Sequence, residues 1–297
     1  MCIRDRVTTD GAIAWLRSRD TDRPFMLRVS HNWPHTPVLP PPPRDSLYDP
    51  ADIPIRYLDA EALAGRSKRD KMFADRHRMC DLSREQIRHV WTNYMGLCAC
   101  VDHEVGRLMS ALEELGLRDD TIVFYNADHG KMLGEYGTGE KGVFDDQVWR
   151  VPFIWSFPGR LPEGKVRTDI CELADTGRTL LTLAGLEDRI PDSFRGRDLF
   201  GDDPAPEAVF GQINYRMMRV AVRTDRYRMD VTWSDEGRRL GEDELDGNLF
   251  DLSEDPAERV NLYDEPSHDP VRRELLERLE RWQAQIDPYT VMEIKKN

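Results

Sequence analysis

Cysteine is scarce in this sequence. The five cysteines among 297 residues are Cys2, Cys80, Cys98, Cys100 and Cys171. Their odd number, without a spacing typical of a disulfide framework or a zinc site, argues against a small disulfide-stapled domain and against a zinc-binding domain. Long hydrophobic runs are also missing, since no apolar segment approaches the ~20 residues that a transmembrane helix needs.

Positive charge is in deficit. The sequence has 42 Lys and Arg against 55 Asp and Glu, which gives a net charge of −13. This argues against nucleic acid or an anionic membrane as the main partner, although a local basic pocket could still bind an anionic substrate. Hydrophobic residues make up 39% and charged residues 33%, which is typical of a globular protein with a core. The length fits one large α/β domain, or one domain plus a smaller one.

The first six residues read Met-Cys-Ile-Arg-Asp-Arg. No apolar segment follows their charges, so this run is not a signal peptide. It is similar to adaptor read-through at the ends of assembled environmental sequences. We therefore expect the natural N-terminus to be missing, and the localisation stays open.

Residues 121–130, Thr-Ile-Val-Phe-Tyr-Asn-Ala-Asp-His-Gly, organise the chain. The apolar run is short and rich in β-branched and aromatic residues, which predicts a strand buried on both faces. Asp128 and His129 stand at its carboxyl end, where open α/β sheets hold their ligands, and Gly130 allows a sharp turn. A carboxylate beside an imidazole could be half of a metal site. The alternative is that Asp128 only caps the next helix.

A second strand is predicted over residues 24–30, and a long amphipathic helix over 83–115 separates it from the strand at 121. A serine with a glutamine three residues later indicates a capping box at the start of this helix. Strand, helix and strand form a crossover, which predicts parallel strands. His35, in the loop after the first strand, would then lie near the acid–imidazole pair. Residues 150–157 predict a further strand.

Residues 38–83 form a long excursion that could line a site or be a flexible insertion. Composition changes again near residues 201–206, which predicts a boundary between a first domain, residues 1–203, and a second, residues 204–297. In the second region a period of two over residues 220–233 predicts an antiparallel hairpin. A last helix is predicted to open at Pro270.

Several short stretches, each weak alone, follow one another in a specific order. They are residues 34–37, 101–107, 127–130, 133–137, 139–142, 150–152, 158–159, 221–227, 249–256 and 261–262. Together they resemble the type I, formylglycine-dependent sulfatases of the alkaline phosphatase superfamily, over nearly all of residues 24–287. The resemblance implies an alkaline-phosphatase-like α/β fold, with a mostly parallel sheet flanked by helices. A smaller C-terminal antiparallel sheet with a helix should follow it.

The resemblance also implies a sulfuric ester hydrolase that acts on a small-molecule or carbohydrate sulfate ester. Asp128 and His129 resemble two ligands of the active-site divalent cation, and His35 and Lys141 resemble the groups that bind the sulfate oxygens and assist the leaving group. The chemistry agrees, because charge moves onto the leaving oxygen as the bond breaks. A cation, an ammonium and an imidazole aimed at that charge stabilise it, and the imidazole can also transfer a proton.

The family's nucleophile is a formylglycine made in a Cys/Ser-x-Pro-x-Arg motif. It lies with two further acidic metal ligands near the start of the family domain, and we expect none of these here. Residues 2–6 are only superficially similar, because Arg4 replaces the proline. The sequence therefore predicts that residues 1–203 are the carboxyl-terminal portion of a sulfatase catalytic domain, and that the chain as written is inactive.

The resemblance favours Ca²⁺, but calcium prefers oxygen ligands and an imidazole ligand is compatible with Mn²⁺ or another transition metal. One alternative function is therefore a phosphonate monoester or phosphodiester hydrolase on the same scaffold. A second alternative is a non-catalytic module that binds anions without turnover.

Overall fold

The computed structural model describes residues 2–54, 60–215, 217–234, 239–241 and 244–285. The helices are α1 (Cys2–Ser18), α2 (Ala60–Gly65), α3 (Lys68–His77), α4 (Arg84–Glu114), α5 (Asp146–Trp149), α6 (Asp175–Leu183) and α7 (Asp269–Gln283). The strands are β1 (Val123–Asn126), β2 (Phe153–Ser156), β3 (Val209–Tyr215), β4 (Met217–Arg223), β5 (Tyr227–Thr232) and β6 (Gly247–Asp251). Within the described ranges, no helix has the length and apolar character needed to cross a bilayer.

The chain divides into two compact units. Unit 1 comprises Met1–Arg56, Met79–Ala127 and Pro152–Val166, and unit 2 comprises Tyr57–Arg78, Asp128–Val151 and Arg167–Asn297.

In unit 1, α1 packs against the long helix α4. The predicted capping box at the start of α4 is confirmed. Ser83 Oγ accepts a hydrogen bond from the Gln86 amide (3.2 Å), and Gln86 Oε1 accepts one from the Ser83 amide (2.8 Å). These bonds satisfy two of the backbone donors that a helix leaves unpaired at its start. Helix α1 begins at Cys2.

The mostly parallel sheet expected in this part of the chain is not formed among the described residues. Strands β1 and β2 pair antiparallel, with Val123 opposite Ser156 and Asn126 opposite Phe153. Parallel neighbours need a crossover, usually a helix of some length. The connection between β1 and β2 has no α-helix longer than the four-residue α5, so β2 begins beside the end of β1 at which the chain left it.

The strand predicted over residues 24–30 is also not formed. This segment pairs with no strand among the described residues. Phe25 packs instead on α1, with its ring 5.7 Å from that of Trp15 and 5.0 Å from the Arg19 guanidinium. Met26 is 85% exposed. Alternating apolar residues fit a strand, but a strand forms only beside a hydrogen-bonded neighbour.

Unit 2 contains the predicted small antiparallel sheet with its helix. The strand order is β3-β4-β5-β6, and the hairpin between β4 and β5 is confirmed. One face packs against α7 and forms the main core, which includes Val220, Val222, Met229, Val231, Leu249, Leu275, Leu276 and Leu279. The mixed α/β class expected from the sequence is thus observed.

The other face of this sheet is charged and buried. Arg219 and Arg228 are both 0% exposed, and Asp230 between them is 2% exposed. Arg66 and Asp70, from the segment that contains α2 and α3, cover this face with Asn248 and Glu258. Buried charges of this kind are tolerated when each has a partner of opposite sign and its hydrogen bonds are satisfied. Residues 60–78 are therefore a structured part of unit 2.

Candidate active site

The acid–imidazole pair follows β1 after one intervening residue. Asp128 Oδ2 and His129 Nε2 are 3.5 Å apart. His129 Nδ1 lies 2.8 Å from the Gly130 carbonyl oxygen, which can only accept a hydrogen bond, so Nδ1 donates. In the neutral ring this leaves the lone pair on Nε2, facing the carboxylate. The Asp128 side chain is 87% exposed and that of His129 35% exposed, so both atoms are accessible to a ligand.

Directly after this pair, residues 130 and 131 are hydrogen-bonded through their backbone to residues 147 and 148, and we call this contact the neck. The Gly130 amide donates to the Val148 carbonyl (2.7 Å), and the Lys131 amide donates to the Gln147 carbonyl (2.9 Å). A Cβ atom on Gly130 would lie 1.9 Å from the Gln147 carbonyl oxygen. Glycine is therefore required here because two backbone segments approach closely, a stronger reason than the sharp turn that the sequence indicated.

Lys141 lies in the loop that this neck closes. The residue before it, Glu140, accepts a hydrogen bond on its carbonyl oxygen from the Met132 amide (2.9 Å). The Glu140 side chain pairs with Lys131 Nζ at 2.8 Å. Burial raises the pKa of Glu140, but the hydrogen bond and charge of Lys131 outweigh this and hold it below its usual value. The loop thus carries a half-buried Lys141 beside an ionised carboxylate.

His35 belongs to unit 1. Its Nδ1 lies 2.8 Å from the Thr36 carbonyl oxygen, which selects the same tautomer as in His129. Its amide donates to the Asn32 carbonyl (2.9 Å). Asp128, His129 and Lys141 belong to unit 2. The structure therefore brings Asp128 and His129 together and puts Lys141 in the closed loop that follows them. The convergence of Lys141 and of His35 on the pair stays a prediction.

Comparison with known proteins identifies the family of the chain. The family model for Sulfatase matches residues 2–186. An arylsulfatase from Clostridium perfringens (strain 13 / Type A) is 31% identical over 282 residues, which are 91% of this chain and 56% of the relative. The chain belongs to the sulfatase family.

Solved structures show the same fold. The phosphonate monoester hydrolase SpPMH from Silicibacter pomeroyi has a TM-score of 0.79 at 23% identity, over 96% of this chain and 61% of that one. A protein called BT4656, in complex with its substrate D-glucosamine-2-N,6-O-disulfate, has a TM-score of 0.76 at 21% identity, over 95% of this chain and 69% of that one. The alkaline-phosphatase-like fold is thereby confirmed. The chain spans little more than half the length of the curated relatives it matches.

Membership of the sulfatase family implies a divalent cation and a formylglycine. The pair Asp128 and His129 fits a cation in part, because it offers one carboxylate oxygen and one imidazole nitrogen close together. Within the part of the chain that the structure describes, no group of three or more His, Cys, Asp or Glu side chains is arranged to hold a metal. The donor set present is thus incomplete for a cation such as calcium, which takes ~6–8 oxygen ligands.

One segment of this sulfatase-family chain has the residue pattern of the nucleophile motif, Cys/Ser-x-Pro-x-Arg. We had expected no such motif in the sequence. The segment is residues 156–160, Ser-Phe-Pro-Gly-Arg. Ser156 ends β2 and lies opposite Val123, whereas Asn126, at the end of β1 that leads to Asp128, lies opposite Phe153. Three residues along a strand span roughly 10 Å. The Ser156 hydroxyl also accepts a hydrogen bond from Arg118, so its position and its contact fit a structural serine.

Asp5 has a role that sequence reasoning missed. Its side chain is buried, and its two carboxylate oxygens accept hydrogen bonds from the Asn32 amide (2.7 Å) and the Trp33 amide (3.0 Å). It therefore holds the loop that carries His35. No signal in residues 1–6 indicated this, because a single acidic residue in an unusual terminal run looks like any surface acid.

Proposed function

We propose that this chain carries part of the catalytic apparatus of a sulfuric ester hydrolase that acts on a small-molecule or carbohydrate sulfate ester. The observation that carries the proposal is the 3.5 Å approach of Asp128 Oδ2 to His129 Nε2 at the entrance of the Lys141 loop. The relatives support the substrate class, since one is named an arylsulfatase and another was solved with a sulfated glucosamine.

Each of the four residues has a role in this proposal. Asp128 and His129 hold the divalent cation, Ca²⁺ in first place and Mn²⁺ as the alternative, which would supply positive charge at the sulfate oxygens. Lys141 contributes its ammonium to the same oxygens. His35 contributes a donor and, through Nε2, a group that can exchange a proton with the leaving oxygen. Because charge accumulates on that oxygen during bond cleavage, these groups stabilise the transition state more than the ground state.

The nucleophile in this proposal is a formylglycine supplied by sequence that precedes these residues. Residues 1–203 then form the carboxyl-terminal portion of the catalytic domain, and residues 204–297 form its C-terminal subdomain. Without the nucleophile and the remaining acidic ligands, the 297-residue chain should bind a cation weakly and should not turn over.

A phosphonate monoester or phosphodiester hydrolase is the second candidate. The imidazole in the ligand pair favours it, because nitrogen ligands suit transition metals better than calcium. A non-catalytic module that binds anions is the remaining alternative.

Calorimetric titration of the 297-residue chain with Ca²⁺ and with Mn²⁺ tests the ligand pair. We expect weak binding that Asp128→Ala abolishes, and stronger binding after the chain is extended with the coding sequence that precedes it in its source DNA. Asp188→Ala, at an exposed acid in a short 3-10 helix elsewhere in the chain, is the matched control and should bind as the parent does. Equal binding by the parent, Asp128→Ala and Asp188→Ala would contradict the assignment. Clear preference for Mn²⁺ would favour the second candidate.

A further inference from the structure

One face of α3 lies along the loop that carries Lys141. Arg69, Phe73 and His77 are spaced four residues apart, so they form a single stripe on the helix. The Arg69 guanidinium lies 4.8 Å from the Phe73 ring centre, and the Phe73 and His77 rings are 5.6 Å apart. Two of its three members, Arg69 and Phe73, lie against Gly142.

The contacts fix the residues on both sides of Lys141. Arg69 Nη1 donates to the Gly142 carbonyl oxygen at 2.5 Å. Gly142 has φ of +102°, and a Cβ atom there would lie 3.1 Å from Phe73 Cε1. On the other side, the Glu140 carbonyl accepts from the Met132 amide. Lys141 is therefore held between two anchored peptide groups, one of which depends on α3.

Arg69 differs from the other buried arginines of unit 2. Arg66, Arg219 and Arg228 lie beside carboxylates that raise their pKa values above the usual one despite burial. Burial, and then the charge of Arg219, lower the pKa of Arg69 to about 10. Arg69 is 1% exposed. The hydrogen bond that Arg69 donates to the Gly142 carbonyl oxygen therefore comes from a buried guanidinium.

We propose that Arg69 is a positioning residue for Lys141, and that α3, within the long excursion at residues 38–83, is the support of the catalytic loop. The proposal rests on the proposed role of Lys141 in sulfate-ester cleavage. It assigns a role to part of residues 38–83, for which the sequence left two alternatives: a segment that lines a site, or a flexible insertion. Arg69 acts through the Gly142 peptide and touches no substrate.

The test uses the 297-residue chain and compares Arg69→Met with Arg178→Met. Arg178 is the matched control, because its Nε also donates to a glycine carbonyl, that of Gly196, at 2.7 Å in a different loop. Two readouts report on the Lys141 loop: hydrogen exchange of the Met132 amide, and acylation of Lys141 by acetic anhydride relative to the exposed Lys165. Removing a charge-assisted hydrogen bond should increase local opening about tenfold or more, so both readouts should rise by that factor in Arg69→Met only.

Unchanged exchange and acylation in Arg69→Met, or an equal rise in Arg178→Met, would overturn the proposal. If circular dichroism shows that Arg69→Met does not fold, Arg69→Lys is compared with Arg178→Lys instead. The same two readouts, exchange of the Met132 amide and acylation of Lys141, then decide. Failure of the proposed function has a different signature. It would appear as full turnover by Lys141→Ala in the extended protein, whatever the loop measurements give.

Discussion

The buried carboxylate of Asp230 should contribute strongly to the stability of unit 2. It is 2% exposed and accepts hydrogen bonds from Arg219 Nε, Arg228 Nη1 and, at 3.2 Å, Asn248 Nδ2. Burial raises its pKa, but the charges of Arg219 and Arg228 outweigh this and hold the pKa below its usual range. Asp230→Asn keeps the size and shape of the side chain but removes its negative charge, so the buried guanidinium groups of Arg219 and Arg228 lose a carboxylate partner. We expect the free energy of unfolding to fall by about 3–5 kcal/mol.

Urea titration followed by far-UV circular dichroism measures this change. The control is Glu277→Gln, which makes the same carboxylate-to-amide change in an exposed pair. Arg281 Nη1 and Glu277 Oε2 are 3.8 Å apart, and both side chains are 64% exposed. The control should change the free energy of unfolding by less than about 0.5 kcal/mol. A loss in Asp230→Asn no larger than that of the control would refute the claim that the charged face stabilises the sheet.

Three further predictions concern stability and local opening. Burial raises the pKa of Glu258 from 4.5 to about 7 against the charge of Arg228. Between these two pKa values the folded chain holds a proton that the unfolded chain has released. The free energy of unfolding should therefore fall as the pH rises from about 4.5 to about 7. Glu258→Gln should flatten that slope in urea titrations, and an unchanged slope would contradict the assignment. Gly130→Ala would place its Cβ against the Gln147 carbonyl, so the Lys131 amide should exchange faster; unchanged exchange would mean that the neck tolerates a side chain. Ser83→Ala removes the cap of α4 and should lower the free energy of unfolding by about 1 kcal/mol, whereas no measurable loss would show that the cap is dispensable.

Local features of the fold were predictable because local chemistry determines them. The α4 capping box needs only a serine and a glutamine three residues apart, and the β4–β5 hairpin follows from a period of two around a polar turn. Strand pairing was not predictable, because it depends on which neighbour a strand finds. Residues 24–30 have a strand-like pattern but pack on α1, and β2 returns antiparallel to β1.

The residues of the proposed site were likewise predictable only in part. Asp128, His129 and Lys141 were proposed because they match the motif that resembles the family's, and the structure places Lys141 in the closed loop that follows the other two. The residues that hold the loop are not recognisable, since Arg69 looks like one more charge in a dense charged segment. The polar positions of β4 and β5 alternate as those of a solvated face would, yet they are buried. Burial of charge depends on partners far away in sequence, which a pattern within one segment does not contain.

Turnover of 4-nitrophenyl sulfate tests the central claim most directly. The account predicts no measurable hydrolysis by the purified 297-residue chain with added Ca²⁺ or Mn²⁺. It predicts hydrolysis after extension with the preceding coding sequence, lost in Asp128→Ala and in Lys141→Ala and retained in Ser156→Ala. Hydrolysis by the 297-residue chain alone, abolished by Asp128→Ala, would show that the nucleophile lies within these residues and would contradict the account.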